Sequence, residues 1–446
     1  MTTWKRLPGL TLILTSVTLL VGCESTPKAA KADPLLPGSA IFIHPDGTNL
    51  QMWDALRILT VGPDGMTAWD QLPELGAYRG HMKDALASTS HGGATVHAYG
   101  KKVPADSYGL HGTEPLVAAS GFDGSIMMEA KARGKSVGLV NSGHVGEPGT
   151  GVFLARSPKR GDVNAIALQV LRSGAEVLLF GGEKWMLPKG VTGFHGEEGV
   201  REDGVNLIFE AKEAGYTVVY NRAQLLSIDP ATTDKLLGVF AAGSTYNDKS
   251  EEILRERGLP LYQEGSPSVA EMLKVALAIL KRNNEGFLLV LEEEGTDNFG
   301  NNNNSTGTFE ALKRADAAIG VAADFVRKHP NTLLVTAADS DAGSMGLLSP
   351  PAAYGNFPPG EPLPETTQNG APLDGIDGTG TPPFESAPDQ FGERITFGIA
   401  WSGFADFNGG IVSRAMGLHS DQLGNVVDNT DIYKLMYLAL FGETID

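Results

Sequence analysis

The stretch PSVAEMLKVALAILKRNNEGFLLVLEEEGTD, residues 267–297, decides the fold. Apolar residues recur at helical spacing over 268–282, the polar turn NNEG follows, and FLLVL at 287–291 is a continuous apolar run. An amphipathic helix leading into a strand that is apolar on both faces is the repeating unit of a parallel sheet covered by helices. The strand runs straight into Glu292, Glu293 and Glu294, with Asp297 just beyond. In open α/β sheets ligands bind beyond the carboxyl ends of the strands, so this acidic tip is the first candidate for a site.

Other segments repeat the pattern. Apolar strands are expected at 39–47 (SAIFIHPDG), 136–141, 176–180, 216–220 and 332–337, with helices at 162–173 and 309–329. The expected class is α/β, a central mostly parallel sheet with helices on both faces. Two more strands end on acids, at Asp46 and at Asp339 to Asp341. A lone aspartate after a strand commonly faces solvent, whereas three acidic ends on one sheet point to a divalent cation. Residues 344–392 interrupt the pattern with a Pro- and Gly-rich insertion lacking periodicity, a length uncommon for a loop in a compact domain. A lid, a subunit contact and a surface elaboration are all compatible with it.

The chain has 446 residues, 41% of them hydrophobic, and a formal charge of -18. A nucleic-acid partner would need a basic footprint, and none is visible. At the start, Lys5 and Arg6 precede an apolar stretch that ends Leu20-Val21-Gly22-Cys23. This reads as a signal peptide over 1–22, too short for a mature span. Its end resembles a bacterial lipoprotein box, which implies lipid on Cys23, a tether over 24–37 and a catalytic domain over 38–446. The expected location is therefore outside the cytoplasm, held to the periplasmic side of the outer membrane or the cell surface through lipidated Cys23. Cys23 is the single cysteine, so that domain is expected to fold without a disulfide.

Several segments, taken together and in order, resemble the alkaline phosphatase family. They are the strand ending Asp46-Gly47, TSHGGATVHAYG at 89–100, KSVGLVNSGHVGEPGTGVFLARSPKR at 135–160, the quoted 267–297, NTLLVTAADSDAG at 331–343 and VVDNTDIYKLM at 426–436. The resemblance implies an alkaline-phosphatase-like three-layer sandwich and a metal-dependent phosphomonoesterase working through a phosphoserine. Residue by residue, it implies Ser90 as nucleophile and Arg160 as the phosphate-gripping guanidinium. It further implies Asp46 as a carboxylate bridging two metal positions, Glu292 as a magnesium ligand, and Asp297 and Asp339 as ligands of the paired metals. His91, beside Ser90, is a candidate for phosphate contact or proton transfer. Asp341 and Glu147 are further candidate ligands, with His144 a weaker one in the loop of Glu147. His97, on the helix of Ser90, is equally compatible with a packed, hydrogen-bonded place.

The departures from the family are informative. Its three zinc histidines are replaced by Asn301, Ser340 and Asp406, the Asp beside the nucleophile is Thr89, and its magnesium threonine aligns near Gly149 or Thr150. Oxygen donors suit Mg²⁺, Ca²⁺ or Mn²⁺, whereas imidazoles suit Zn²⁺. The expected cofactors are divalent ions, Mg²⁺ first, with Ca²⁺, Mn²⁺ and Zn²⁺ as alternatives. A small phosphate ester is the expected partner, and a homodimer is compatible with the family. A phosphodiesterase or sulfatase of the same superfamily, and a non-catalytic phosphate- or metal-binding lipoprotein, stand as alternatives.

Overall fold

The computed structural model describes residues 36–350 and 357–445; the signal peptide, Cys23 and nearly all of the tether lie outside them. Eight strands follow in order: β1 (Ser39–Pro45), β2 (Glu74–Arg79), β3 (Ser136–His144), β4 (Val177–Gly181), β5 (Thr217–Val219), β6 (Leu236–Val239), β7 (Phe287–Glu293) and β8 (Thr332–Thr336). Two more come near the end, β9 (Val412–Gly417) and β10 (Val426–Asp428). All join one sheet in the spatial order β10-β2-β9-β8-β1-β7-β3-β4-β6-β5. Every pairing is parallel except the two made by β9, which runs antiparallel to β2 and β8.

Helices cover both faces, giving a three-layer sandwich. Residues of β1 alternate between the two cores. Ala40 and Phe42 pack with the helices Ser90–Tyr99 and Asn429–Phe441, while Ile41 and Ile43 pack with Leu50–Thr60, Val269–Leu280 and Ser305–Lys328. Burial on both faces explains why the central strands read as unbroken apolar runs. Local chemistry starts the helices where expected. Ser268 caps Val269–Leu280 and Glu271 returns the bond to the Ser268 backbone, a capping box. The helix expected from 309 begins earlier, at Ser305, because Asn304 accepts from Gly307 N and caps it there.

The insertion is not structureless. Gly346–Leu348, Leu373–Gly375 and Phe384–Glu385 all pair antiparallel with Thr396–Ala400, and Gly378–Thr379 pairs with Leu373–Gly375. Its core side is anchored by Phe384, whose ring meets Phe309 edge-on at 5.0 Å. These strands are two to five residues long, too short to register as periodicity in a sequence.

The C-terminal segment closes the sheet and backs the helix Ser90–Tyr99. Asn429 Nδ2 donates to the carbonyls of Gly80 (3.3 Å) and His81 (3.4 Å). Gly100 ends the helix at φ +69°, and a Cβ there would lie 2.5 Å from the Tyr433 ring, so both conformation and space demand glycine.

Candidate active site

The four neighbouring strands β8, β1, β7 and β3 deliver acids or amides to one end of the sheet. Register aligns them: His44 on β1 stands opposite Glu292 on β7, and Glu292 stands opposite Asn141 on β3. Alternation then sorts each strand tip. Glu292 and Glu294 turn to the site, whereas Glu293 turns away and accepts from Tyr262 Oη at 3.0 Å.

Two groups of potential ligand atoms share Asp46. One is Asp46, Glu292 and Glu294; the other is Asp46, Asp339 and His44. Within each group the atoms lie within 4.8 Å of one another, and every residue is buried. Glycines make the approach possible. A Cβ on Gly149 would lie 1.9 Å from Glu292 Oε1, one on Gly47 would lie 2.6 Å from Asp297 Oδ1, and one on Gly93 would lie 2.4 Å from Asp339 Cβ. Gly93 belongs to the helix that begins at Ser90, so Asp339 packs directly against the helix carrying the candidate nucleophile.

The electrostatics call for a cation. Asp46 Oδ2, Glu292 Oε1, Glu294 Oε2 and both Asp339 oxygens are buried without a hydrogen-bond partner. Uncompensated buried carboxylates are costly, and a shared proton or a metal is what removes the cost. Burial, with Asp46 as neighbour, pushes Glu292 up to about 7 even against the pull of His44. Burial and the Asp46 carboxylate likewise hold Asp339 well above the ordinary range, and burial with Asp406 and Asp46 does so for Asp297. Burial also pushes Asp46 upward, but His44 beside it brings it below the ordinary carboxylate range. The crowded oxygens fit one or more divalent ions.

Around this centre the remaining candidates take distinct places. Ser90 is buried at the first position of its helix, and Thr89 caps that helix by accepting from Gly92 N. Thr89 Oγ1 also donates to Ala105 O at 2.6 Å, so both hydrogen bonds of this hydroxyl serve the local fold. Asn301 Nδ2 donates to both Asp297 oxygens (3.1 Å) and to Asp406 Oδ1 (2.9 Å), gathering the two carboxylates. Asp341 accepts from Asn49 Nδ2 at 2.7 Å and lies outside both groups. Glu147 is engaged at both oxygens, by His144 Nε2 (3.0 Å) and Arg160 Nη2 (3.4 Å). The Arg160 side chain is 42% exposed, leaving most of its fork open to an anion. His91 Nε2 meets Asp106 Oδ1 at 3.0 Å. His97 is packed: its Nε2 meets Tyr78 Oη at 2.6 Å, and its ring lies edge-on to Phe42 and His44.

The sequence did not single out His44 or Asn141, left the magnesium threonine between Gly149 and Thr150, and marked Glu294 only as part of the acidic tip. Thr150 Oγ1 accepts from Asn141 Nδ2 at 2.7 Å and lies 3.4 Å from Glu292 Oε2, so Thr150 supplies the hydroxyl beside the glutamate while Gly149 supplies the space for it. Glu294 carried a readable signal, two residues after Glu292 and so on the same face.

The alkaline phosphatase family model matches residues 41–358. Among curated proteins, tissue-nonspecific alkaline phosphatase of Rattus norvegicus is 26% identical over 359 residues, covering 72% of this chain and 67% of the rat protein. Alkaline phosphatase of Gadus morhua is 28% identical over 343 residues, covering 68% and 69%. The fold is shared with Thermus thermophilus alkaline phosphatase (TM-score 0.69, 22% identity, 91% of each chain). It is also shared with the alkaline phosphatase of the Antarctic bacterium TAB5 (TM-score 0.66, 17% identity, 91% of this chain and 98% of that one). A His-to-Asp variant of the TAB5 enzyme has been solved with Mg bound in its M3 site. With the family model spanning the strands that carry Asp46, Glu292 and Asp339, the chain belongs to the alkaline phosphatase family.

Proposed function

We propose that Ser90 carries the phosphoryl group in this metal-dependent phosphomonoesterase, and that the buried carboxylates around Asp46 hold its ions. The observation that carries the assignment is the contact of Asp339 with Gly93, which seats the helix of Ser90 against the orphaned carboxylates.

Ser90 Oγ attacks phosphorus, the ester oxygen departs with the bonding pair, and a phosphoserine remains. Water then attacks phosphorus, Ser90 Oγ leaves, and inorganic phosphate is released. Divalent ions, when bound, supply charge stabilisation at the attacking and departing oxygens. Arg160 grips the phosphoryl oxygens through its planar fork, and Glu147 holds the guanidinium in place. The N-terminus of the Ser90 helix adds a favourable field for the anion. Asp46 belongs to both ligand groups, Glu292 and Glu294 complete one, and Asp339 belongs to the other. Asp297, Asp406 and Asn301 lie at the rim of the same centre, with Asp341 behind Asn49.

Acid-quenched turnover of an aryl phosphate monoester should leave phosphate on the peptide containing Ser90. Ser90→Ala should retain bound metal and lose about 10³-fold or more in kcat. Rates on diester and sulfate ester run beside the monoester decide between superfamily chemistries; equal or higher rates on either would replace the monoesterase reading.

The proposal extends to location. The basic start, the apolar stretch and the LVGC ending at Cys23 support export and lipid anchoring, with 23–37 as tether and 38–446 as catalytic domain. Among the described residues no helix is long and apolar enough to cross a membrane, so attachment would rest on Cys23. Cys23→Ser should move the protein from the membrane to the soluble fraction, and unchanged fractionation would refute the anchor.

A further inference from the structure

We infer that His44 is a metal ligand, giving one of the two positions at Asp46 a nitrogen donor and a preference for Co²⁺, Mn²⁺ or Zn²⁺ over Mg²⁺. The inference rests on the metal-centre reading above and refines it.

The argument is one of tautomers. His44 Nδ1 lies 2.7 Å from Ala337 O, and a carbonyl can only accept, so Nδ1 carries the proton. The Nε2 lone pair of the neutral ring then points into the site, 3.1 Å from Asp46 Oδ1, which is also an acceptor. Nε2 and Oδ1 at that distance share a proton in the metal-free site or face a common cation in the loaded one. A bound cation leaves the ring neutral with Nε2 free to ligate. His44 Nε2 is fully buried and has no hydrogen-bond partner, and neither does Asp46 Oδ2 or either Asp339 oxygen. A backbone carbonyl that fixes the far nitrogen of an imidazole is the usual support of a metal-bound histidine. The separation fits as well. Ligands about 2.1 Å from one ion sit roughly 3.0–3.4 Å apart at octahedral or tetrahedral angles.

His144 offers the contrast within the same molecule. Its Nδ1 accepts from Gly146 N at 3.1 Å, so its proton sits on Nε2 and is donated to Glu147 at 3.0 Å. His144 therefore has no lone pair aimed at the centre. His44 does, and its packing holds it there: the ring lies between Phe42 (5.7 Å) and His97 (5.6 Å). The selectivity follows from donor type, because imidazole favours later transition ions while an all-oxygen set favours Mg²⁺. Asp46, Glu292 and Glu294 remain all-oxygen, so the two positions should differ in the ion they prefer.

The test uses the full chain, stripped with chelator and reloaded with Co²⁺ or Mg²⁺ alone. In the Co²⁺-loaded wild type, one exchangeable imidazole proton should be hyperfine-shifted and slow to exchange, since Nδ1–H is buried on Ala337 O. His44→Gln should abolish that signal and weaken one Co²⁺ site about tenfold or more, with Mg²⁺ affinity changed about threefold or less. His144→Gln should leave the signal in place. Should His44→Gln fail to fold, the wild-type proton, traced through ¹⁵N-labelled histidine, decides alone. Absence of the shifted proton while Co²⁺ binds, or undiminished Co²⁺ affinity in His44→Gln, overturns the inference and leaves the metal centre standing. Binding of no divalent ion at all would overturn both.

Discussion

Gly149 and Glu292 are in such close apposition that a single methyl group at position 149 would sit 1.9 Å from Glu292 Oε1. Glu292 is held on its other oxygen by Asn141 Nδ2 and lies beneath the short helix Pro148–Gly151, so it has nowhere to retreat. Gly149→Ala should therefore displace the carboxylate. Equilibrium dialysis should show one divalent ion bound about tenfold more weakly, and activity should fall with it. The melting temperature should change far less than the metal affinity.

Arg160 tests the phosphate grip separately from the metals. Lysine keeps the charge but loses the fork, so Arg160→Lys should lower kcat/KM about 10- to 100-fold, or roughly 1.4–2.8 kcal/mol. Phosphate should weaken as a product inhibitor in parallel, while metal stoichiometry stays unchanged. A variant with wild-type phosphate inhibition would remove Arg160 from the site.

Away from the centre, Glu251 sets a pH dependence of stability. Burial pushes this carboxyl up to about 8; Oε1 accepts from Ser305 Oγ and Thr306 N, and Oε2 has no partner. Its folded pKa thus exceeds the unfolded value of about 4.5. Its contribution is intact below pH 4.5 and is lost as pH rises through about 8. Glu251→Gln mimics the protonated form. It should match the wild type near pH 4.5 and exceed it above pH 8, by on the order of 2–4 kcal/mol in denaturant melts.

Asn304 should matter to folding and not to chemistry. It accepts from Gly307 N at 2.6 Å and donates to Lys249 O at 2.7 Å while fully buried. Asn304→Ala should cost about 1–2 kcal/mol with metal affinity unaltered.

The asparagine run shows how much of the site the sequence could express. Asn301 gathers Asp297 and Asp406, Asn302 donates to Asn298 O, Asn303 adopts φ 51°, and Asn304 caps a helix. Four identical letters do four jobs, and only the backbone path separates them. The central strands were legible because burial on both faces leaves apolar runs, and the acids at their tips marked the site's end of the sheet. β2 and β9 were not legible, because ELGAYR and VSRAMG bury only alternate residues and mix Gly and charged side chains with the apolar ones. His44 was hidden inside SAIFIHPDG, where an imidazole between apolar residues reads as packing. Its role depends on Ala337 and Asp339, some 290 residues away, and on a tautomer that only the carbonyl specifies.

The wall behind Ser90 has a consequence for the chain's life before it is complete. Asn429, Tyr433 and their helix support the helix of Ser90, and β10 closes the edge beside β2. All of these residues follow the catalytic groups in chain order. A nascent chain that has reached β9 already holds Ser90, Arg160, Asp46, Glu292 and Asp339, yet it lacks the surface that seats the nucleophile. Chain order therefore bears on competence: until Asn429 and Tyr433 have emerged, the helix of Ser90 lacks its backing, whatever the order in which the catalytic groups emerged.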